Sequence, residues 1–369
     1  MRKKINLRTK FHLFHVIFAC VIMLFFACST DNVAKNHSFH SAKSAAFTYV
    51  GRFDFSDENG PKVWAPGAYI KVDFHGSYCA IKIKDENKFY THYNYIQVVI
   101  DDTIIRRFKL SKTENTIVIG KHFSQQKHHL IICKDTESDI GFIQFEGVYC
   151  RKISKIKKRA VIEFIGDSIT CGNGSDLSRV NCEDGKWFDQ HNAFMSYGAI
   201  LARRLKREWI LSSVSGIGLT RSCCGNELTM PQCYQYISFK PTSELYPIKK
   251  EHPDIVCVTL GQNDGLQKAS IYVSAYLKFL AQLRKTHPTA QFILCTSPMA
   301  KEKLRNHLKN CIQRVVKIAK NSGEQKLEMF SYSKTYGKGC LSHPTVEEHL
   351  KIAQELLNFI KAKNLIQLN

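Results

Sequence analysis

Val161-Ile162-Glu163-Phe164-Ile165-Gly166 runs directly into Asp167-Ser168-Ile169-Thr170, giving VIEFIGDSIT at 161–170. The first six residues are mostly β-branched, aromatic or small, the pattern of a strand buried on both faces, and the polar residues that follow end it. Three further runs of this kind occur: WILSSVS (209–215), DIVCVTLG (254–261) and QFILCTSP (291–298). Helical stretches lie between them, from Phe194 to Arg207, Ile271 to Thr286 and Glu302 to Ser322, and another closes the chain from Val346 to Lys363. Strands alternating with helices predict an α/β domain over 161–369, with a central parallel sheet wrapped on both faces.

Upstream the period changes. AYIKVDF, YCAIKIKD, YIQVVIDD and TIIRRFKL alternate apolar with polar residues, and FTYVGRF, NTIVIG, HHLIICKD and GFIQFEGVYC are further strand candidates. About eight closely spaced strands without a helix predict an antiparallel β-sandwich over 46–150, of jelly-roll type. Residues 151–160 (RKISKIKKRA) read as a basic linker between the domains, and 29–45 as a linker ahead of the first.

Residues 1–28 read as an export signal. Arg2, Lys3, Lys4, Arg8 and Lys10 precede an apolar stretch from Phe11 to Ala27, which ends at Cys28 and gives way to polar sequence. The apolar run is shorter than the ~20 residues of a comfortable membrane span, so cleavage is favoured over spanning. The end resembles a bacterial lipoprotein signal, in which the Cys after a small residue is lipidated and becomes the mature N-terminus. Phe25 stands where such signals usually carry Leu; Cys20 is the alternative lipidation site, and a plain secretory peptide or an uncleaved anchor the alternative segment. The expected location is exported, anchored to a bacterial membrane through Cys28, or otherwise periplasmic or secreted.

Composition excludes a disordered chain. Of 369 residues, 44% are hydrophobic and 23% charged, the mix of a globular protein with sizeable cores. The net charge of +21 would fall to +16 on loss of the five basic residues ahead of Cys28. Such a balance raises nucleic acid or an anionic surface as partners, yet the densest run, Arg151 to Arg159, has no interleaved aromatics to stack on bases, so no nucleic-acid partner is expected. Cys79, Cys133, Cys257 and Cys295 fall in strand-like runs and read as buried thiols, while Cys171, Cys182, Cys223, Cys224 and Cys233 fall in loop-like sequence and are the disulfide candidates. No CxxC pair occurs, so no metal site is expected.

Ligands of open parallel sheets bind beyond the carboxyl ends of the strands, and four polar signals fall there or near the C-terminus. Ser168 follows the first strand, Gly216 the second, and Gln262-Asn263-Asp264 the third; Ser342-His343-Pro344 precedes the last helix. A hydroxyl, an imidazole and two or three N–H donors are the parts of an acyl-transfer site.

GDSIT (166–170), Gly216, GQND (261–264) and His343 share the order and strand-end positions of the GDSL, or SGNH, hydrolase superfamily, which this chain resembles. The resemblance narrows to carbohydrate esterase family 2, acetyl esterases with a jelly-roll domain ahead of the SGNH domain. GRFDFSDENGPKVWAPGAYIKVDFHGS (51–77), NAFMSYGAILARRL, SGIGLTRS, TMPQCY and GCLSHP look like that family's segments, and the likeness covers roughly 48–360. It implies Ser168 as nucleophile, His343 as base, and an oxyanion hole from the Ser168 N–H, the Gly216 N–H and the Asn263 amide, with Gly218 as the alternative glycine. It implies no cofactor, an acetylated carbohydrate substrate such as xylan or glucomannan, and an acetyl-serine intermediate. The family often has an acid two residues before the His, where this chain has Leu341, and the wider superfamily an Asp three before it, where this chain has Cys340. A Ser-His dyad is therefore expected, with His343 oriented by a backbone carbonyl or a neutral side chain, and a distant Asp or Glu in the acid's place is the alternative arrangement. The alternative is a carbohydrate-binding surface protein that retains the esterase fold with weak or no turnover.

Overall fold

The computed structural model describes residues 37–247 and 251–366. The proposed signal and both Cys20 and Cys28 lie outside the described residues.

Residues 38–154 build two six-stranded antiparallel sheets packed face to face. One contains Cys79–Asp85 and Ile143–Cys150, the other Tyr69–His75, Tyr95–Ile100 and Lys127–Lys134. Inward alternation fills the space between them: Ile70, Val72 and Phe74 of one sheet and Ile81, Ile83 and Phe145 of the other are buried in one core. The sandwich is wider than the 46–150 expected from periodicity. Ser38–Ser41 pairs with Ile143–Cys150, and Lys152–Ser154 pairs with Tyr69–His75, so parts of both presumed linkers are strands. Both are short segments, SFHS mostly exposed and KIS half-buried, whose side chains carry almost no alternation to read.

The second domain holds a five-stranded parallel sheet in the order Glu208–Ser213, Val161–Gly166, Ile255–Thr259, Gln291–Cys295, Leu327–Phe330. Four of these strands match the apolar runs. The fifth, LEMF, is an edge strand with only its first residue buried, which is why no apolar run announces it. Val256 and Val258 face helices Ala269–Thr286 and Glu302–Asn321, while Ile255 and Cys257 face Tyr197–Arg204 and Val346–Ala362. Burial on both faces explains why these strands are apolar throughout.

The outer face of one sandwich sheet is covered by the α/β domain. Tyr69 and Lys71, which point away from the sandwich core, both reach the carboxylate of Glu208, and the Tyr69 ring stacks on Trp209 at 4.0 Å. Arg52, fully buried, donates to the carbonyls of Tyr234 and Tyr236 at 2.7 and 3.0 Å and to Ser212 Oγ. Removing one partner of such a buried charged network leaves the other unpaired, so this interface fixes the domains against each other.

Candidate active site

The strand Val161–Gly166 ends at Asp167, whose carboxylate accepts the Ile169 N–H at 3.1 Å and so caps the short helix Ser168–Cys171. This sharp strand-to-helix passage sets Ser168 on the wall of a cavity of about 670 Å³. His343 arrives from the other end of the domain, just before the helix Val346–Ala362, and its Nε2 stands 2.8 Å from Ser168 Oγ. With the proton of a neutral ring on Nδ1, Nε2 is free to accept the Ser168 hydroxyl at this distance. Burial pushes the His343 pKa below its ordinary 6.5, which keeps the ring in the form that accepts a proton.

The far side of that ring meets main chain. His343 Nδ1 lies 3.1 Å from the Cys340 carbonyl oxygen, which also accepts the His343 N–H at 3.0 Å, and no carboxylate pairs with the ring among the described residues. The carbonyl is itself held. Cys340 is joined to Cys182 by a disulfide, and its N–H donates to the Gly174 carbonyl at 2.9 Å. Gly174 has φ +62°, and a Cβ there would stand 2.7 Å from the Cys340 oxygen. Leu341, in the left-handed region at φ +52°, turns its side chain out to 76% exposure on the cavity rim.

Gly216 and Asn263 line the same cavity as Ser168 and His343. Gly216 has φ +74°, and its carbonyl accepts the Cys223 N–H at 2.8 Å. The N–H of Gly218, the alternative glycine, is already engaged, donating to Ser222 Oγ at 3.0 Å. Asn263 Nδ2 donates to the Ile217 carbonyl at 2.7 Å and lies 3.5 Å from Asp167 Oδ2, while its Oδ1 is 3.2 Å from Cys223 Sγ. Asp264, fully buried, accepts the Leu219 and Thr220 N–H groups at 2.9 and 2.6 Å and pins the two strand-end loops together.

Three features of the site have no counterpart in the sequence reading. Glu137 comes from the sandwich domain, fully buried, and accepts the Ser215 N–H at 3.1 Å and Asn173 Nδ2 at 3.3 Å. Burial pushes its carboxyl up to about 7. Trp187 lines the cavity from the 176–192 loop. The third is Cys340, which was not among the disulfide candidates and closes a bridge with Cys182; the candidates Cys182, Cys223 and Cys224 are all bridged, Cys223 to Cys224 on the cavity wall. Cys171 and Cys233 correct the sequence reading: both are buried free thiols on one-turn helices, a placement that their polar flanking sequence conceals. Among the described residues no cluster of His, Cys, Asp and Glu is arranged to hold a metal ion.

Residues 49–158 match the carbohydrate esterase 2 N-terminal family, and 164–328 match the GDSL-like lipase/acylhydrolase family. The chain joins a carbohydrate esterase 2 N-terminal domain to a GDSL-like lipase domain. Its homologues are family 2 carbohydrate esterases. It is 30% identical over 327 residues to the cellulase/esterase CelE of Acetivibrio thermocellus, covering 85% of this chain but 39% of that protein. An acetylxylan esterase/glucomannan deacetylase of Cellvibrio japonicus is 25% identical, covering 81% of this chain and 84% of its own length. A family two carbohydrate esterase from Clostridium thermocellum, solved with cellohexaose, superposes with a TM-score of 0.78 at 29% identity, over 87% of this chain and 100% of that one. Within this two-domain esterase architecture, the loop carrying Glu137 brings the sandwich domain to the wall of the Ser168 cavity.

Proposed function

We propose that this protein is a carbohydrate O-acetyl esterase acting through an acetyl-serine intermediate, with acetylated xylan or glucomannan as substrate. The observation that carries the reading is the 2.8 Å approach of His343 Nε2 to Ser168 Oγ on the wall of the cavity. His343 takes the Ser168 proton as Oγ attacks the acetyl carbonyl. The N–H groups of Ser168 and Gly216 and the Asn263 amide receive the negative charge that develops on the carbonyl oxygen, each such donor being worth ~10²–10³ in rate. The imidazolium then gives its proton to the departing sugar oxygen, and water, deprotonated by the same ring, releases acetate from Ser168. The Cys340 carbonyl takes the place of an acid behind His343, fixing the tautomer with its proton on Nδ1.

That no carboxylate pairs with the His343 ring among the described residues favours a second reading, a carbohydrate-binding protein with the esterase fold and little turnover. Acetate release by the purified protein from acetylated xylan, glucomannan and a bacterial surface polysaccharide separates the two. The esterase reading expects release from at least one polymer; no release from any supports the second.

For location, we propose export and lipid anchoring through Cys28. The Cys182–Cys340 and Cys223–Cys224 disulfides fit an oxidising compartment. Cys28→Ser, followed by membrane fractionation, tests it: the variant is expected to leave the membrane fraction or keep its signal, and unchanged size and partition contradict the anchor.

A further inference from the structure

We propose that Trp187, Phe89 and Tyr90 form an aromatic platform that binds the polysaccharide chain beyond the acetylated sugar, a reading that rests on the carbohydrate esterase function above. The three residues are 42%, 69% and 87% exposed, although rings of this size are ordinarily withdrawn from water. Trp187 and Phe89 are joined by a ladder of rings, and Tyr90 is the chain neighbour of Phe89. Trp187, on the cavity wall, meets Phe188 at 5.8 Å; Phe188 meets His92 at 5.4 Å; His92 meets Phe89 at 5.5 Å, and Tyr90 follows in the chain. The ladder thus starts in the Ser168 cavity and ends on the sandwich domain.

The outer end is held in place rather than loosely displayed. Asn87, Phe89 and Tyr90 have φ of +47°, +58° and +55°, a region that aromatic residues rarely enter because of the crowding of Cβ against the backbone. The base of the loop is fixed by buried Asp85, which accepts the Asn87 and Asn94 N–H groups at 3.1 and 2.9 Å. Two lysines tie it to the cavity: Lys186 Nζ donates to the Thr91 carbonyl at 3.0 Å, and Lys88 Nζ to the carbonyl of cavity-lining Asp139 at 3.2 Å.

Equatorially linked pyranoses offer an apolar C–H face with hydroxyls around its rim. Rings flanked by lysine and carboxylate groups complement both parts, and a fixed platform loses little entropy on binding. A membrane surface would also accept exposed rings beside lysines. The root of the ladder in the catalytic cavity favours a glycan, since a membrane contact needs no continuity with Ser168.

The test compares wild type with the Phe89→Ala/Tyr90→Ala double variant on acetylated glucomannan and on p-nitrophenyl acetate. The expected result is a fall of about tenfold in kcat/KM for the polymer relative to the small ester, through KM. An unaltered ratio overturns the platform. If wild type hydrolyses neither ester, the esterase reading fails, and the platform is read instead by electrophoresis of the native protein through gels containing glucomannan. Retardation of wild type that the double variant loses supports it, and equal mobility overturns it. Sedimentation with phosphatidylglycerol vesicles that depends on Phe89 and Tyr90, with no effect of these residues on glycan, overturns it in favour of a membrane contact.

Discussion

The Cys340 carbonyl oxygen stands 3.1 Å from His343 Nδ1, and the sulfur of the same residue is bonded to Cys182. One residue therefore contacts the ring of the proposed base and is itself fixed to a loop 158 positions away in sequence. A neutral acceptor cannot stabilise an imidazolium as a carboxylate does, so its contribution is to hold the ring and its tautomer, which makes the rigidity of the Cys340 backbone part of the chemistry.

Cys182→Ser should consequently lower kcat for p-nitrophenyl acetate by about tenfold or more, because small displacements of a catalytic group have large rate effects. Loss of a disulfide closing so long a loop should also cost about 2–4 kcal/mol of stability, read from a denaturant melt. Wild-type turnover in the unbridged protein would show that the acceptor needs no anchor.

Glu347→Gln and Glu348→Gln should each change turnover by less than about tenfold. Both residues lie on the first turn of the last helix, and Glu348 is already engaged by the Lys338 and Thr345 N–H groups at 2.8 and 3.2 Å. Removing the acid of an acid-containing triad costs on the order of 10⁴. A thousandfold fall at either position, in a folded protein, would reveal a hidden triad.

The acid limb of kcat/KM should have its midpoint below 6.5, with a plateau through neutrality. Burial lowers the His343 pKa, so the ring loses its proton earlier as pH rises, and only the neutral ring can accept the Ser168 proton. A midpoint near 7 would implicate Asp167 or Glu137, whose carboxyls burial pushes up to about 7, and would remove His343 from control of the profile.

Glu137→Ala should lower kcat by about ten- to a hundredfold with little change in KM for a small ester. It leaves the Ser215 N–H and the Asn173 amide without their acceptor, beside Gly216, the proposed oxyanion donor. Glu137→Gln keeps one acceptor oxygen and should recover most of the loss. Equal defects in both variants would mean that the carboxylate does more than accept these bonds.

The strand-end serine, glycine and asparagine were legible because a strand buried on both faces is an unbroken apolar run, and the first polar residue after it marks the sheet's carboxyl end. His343 stood out as an imidazole ahead of the last helix, but its pairing with Ser168 rested on resemblance, since the two lie 175 residues apart and no local pattern links them. Glu137 was illegible for a related reason: within HHLIICKDTESD it looks like any acidic residue after a strand, and only the docking of two domains buries it. The edge strands Leu327–Phe330 and Lys152–Ser154 escaped because each is only three or four residues long, half-buried and interrupted by charged or polar residues. Cys340 was missed because its function lies in its carbonyl and its bridge, neither of which residue type reveals.

The central claim is that Ser168 carries the acetyl group between sugar and water. Rapid acid quenching during turnover of p-nitrophenyl acetate, followed by peptide mass spectrometry, tests it most directly. One acetyl group is expected on the peptide containing Ser168 and none in Ser168→Ala, which should also cease to release nitrophenol while keeping its fold. Nitrophenol release by folded Ser168→Ala at the wild-type rate, or an acetyl group on a different residue, would contradict the account.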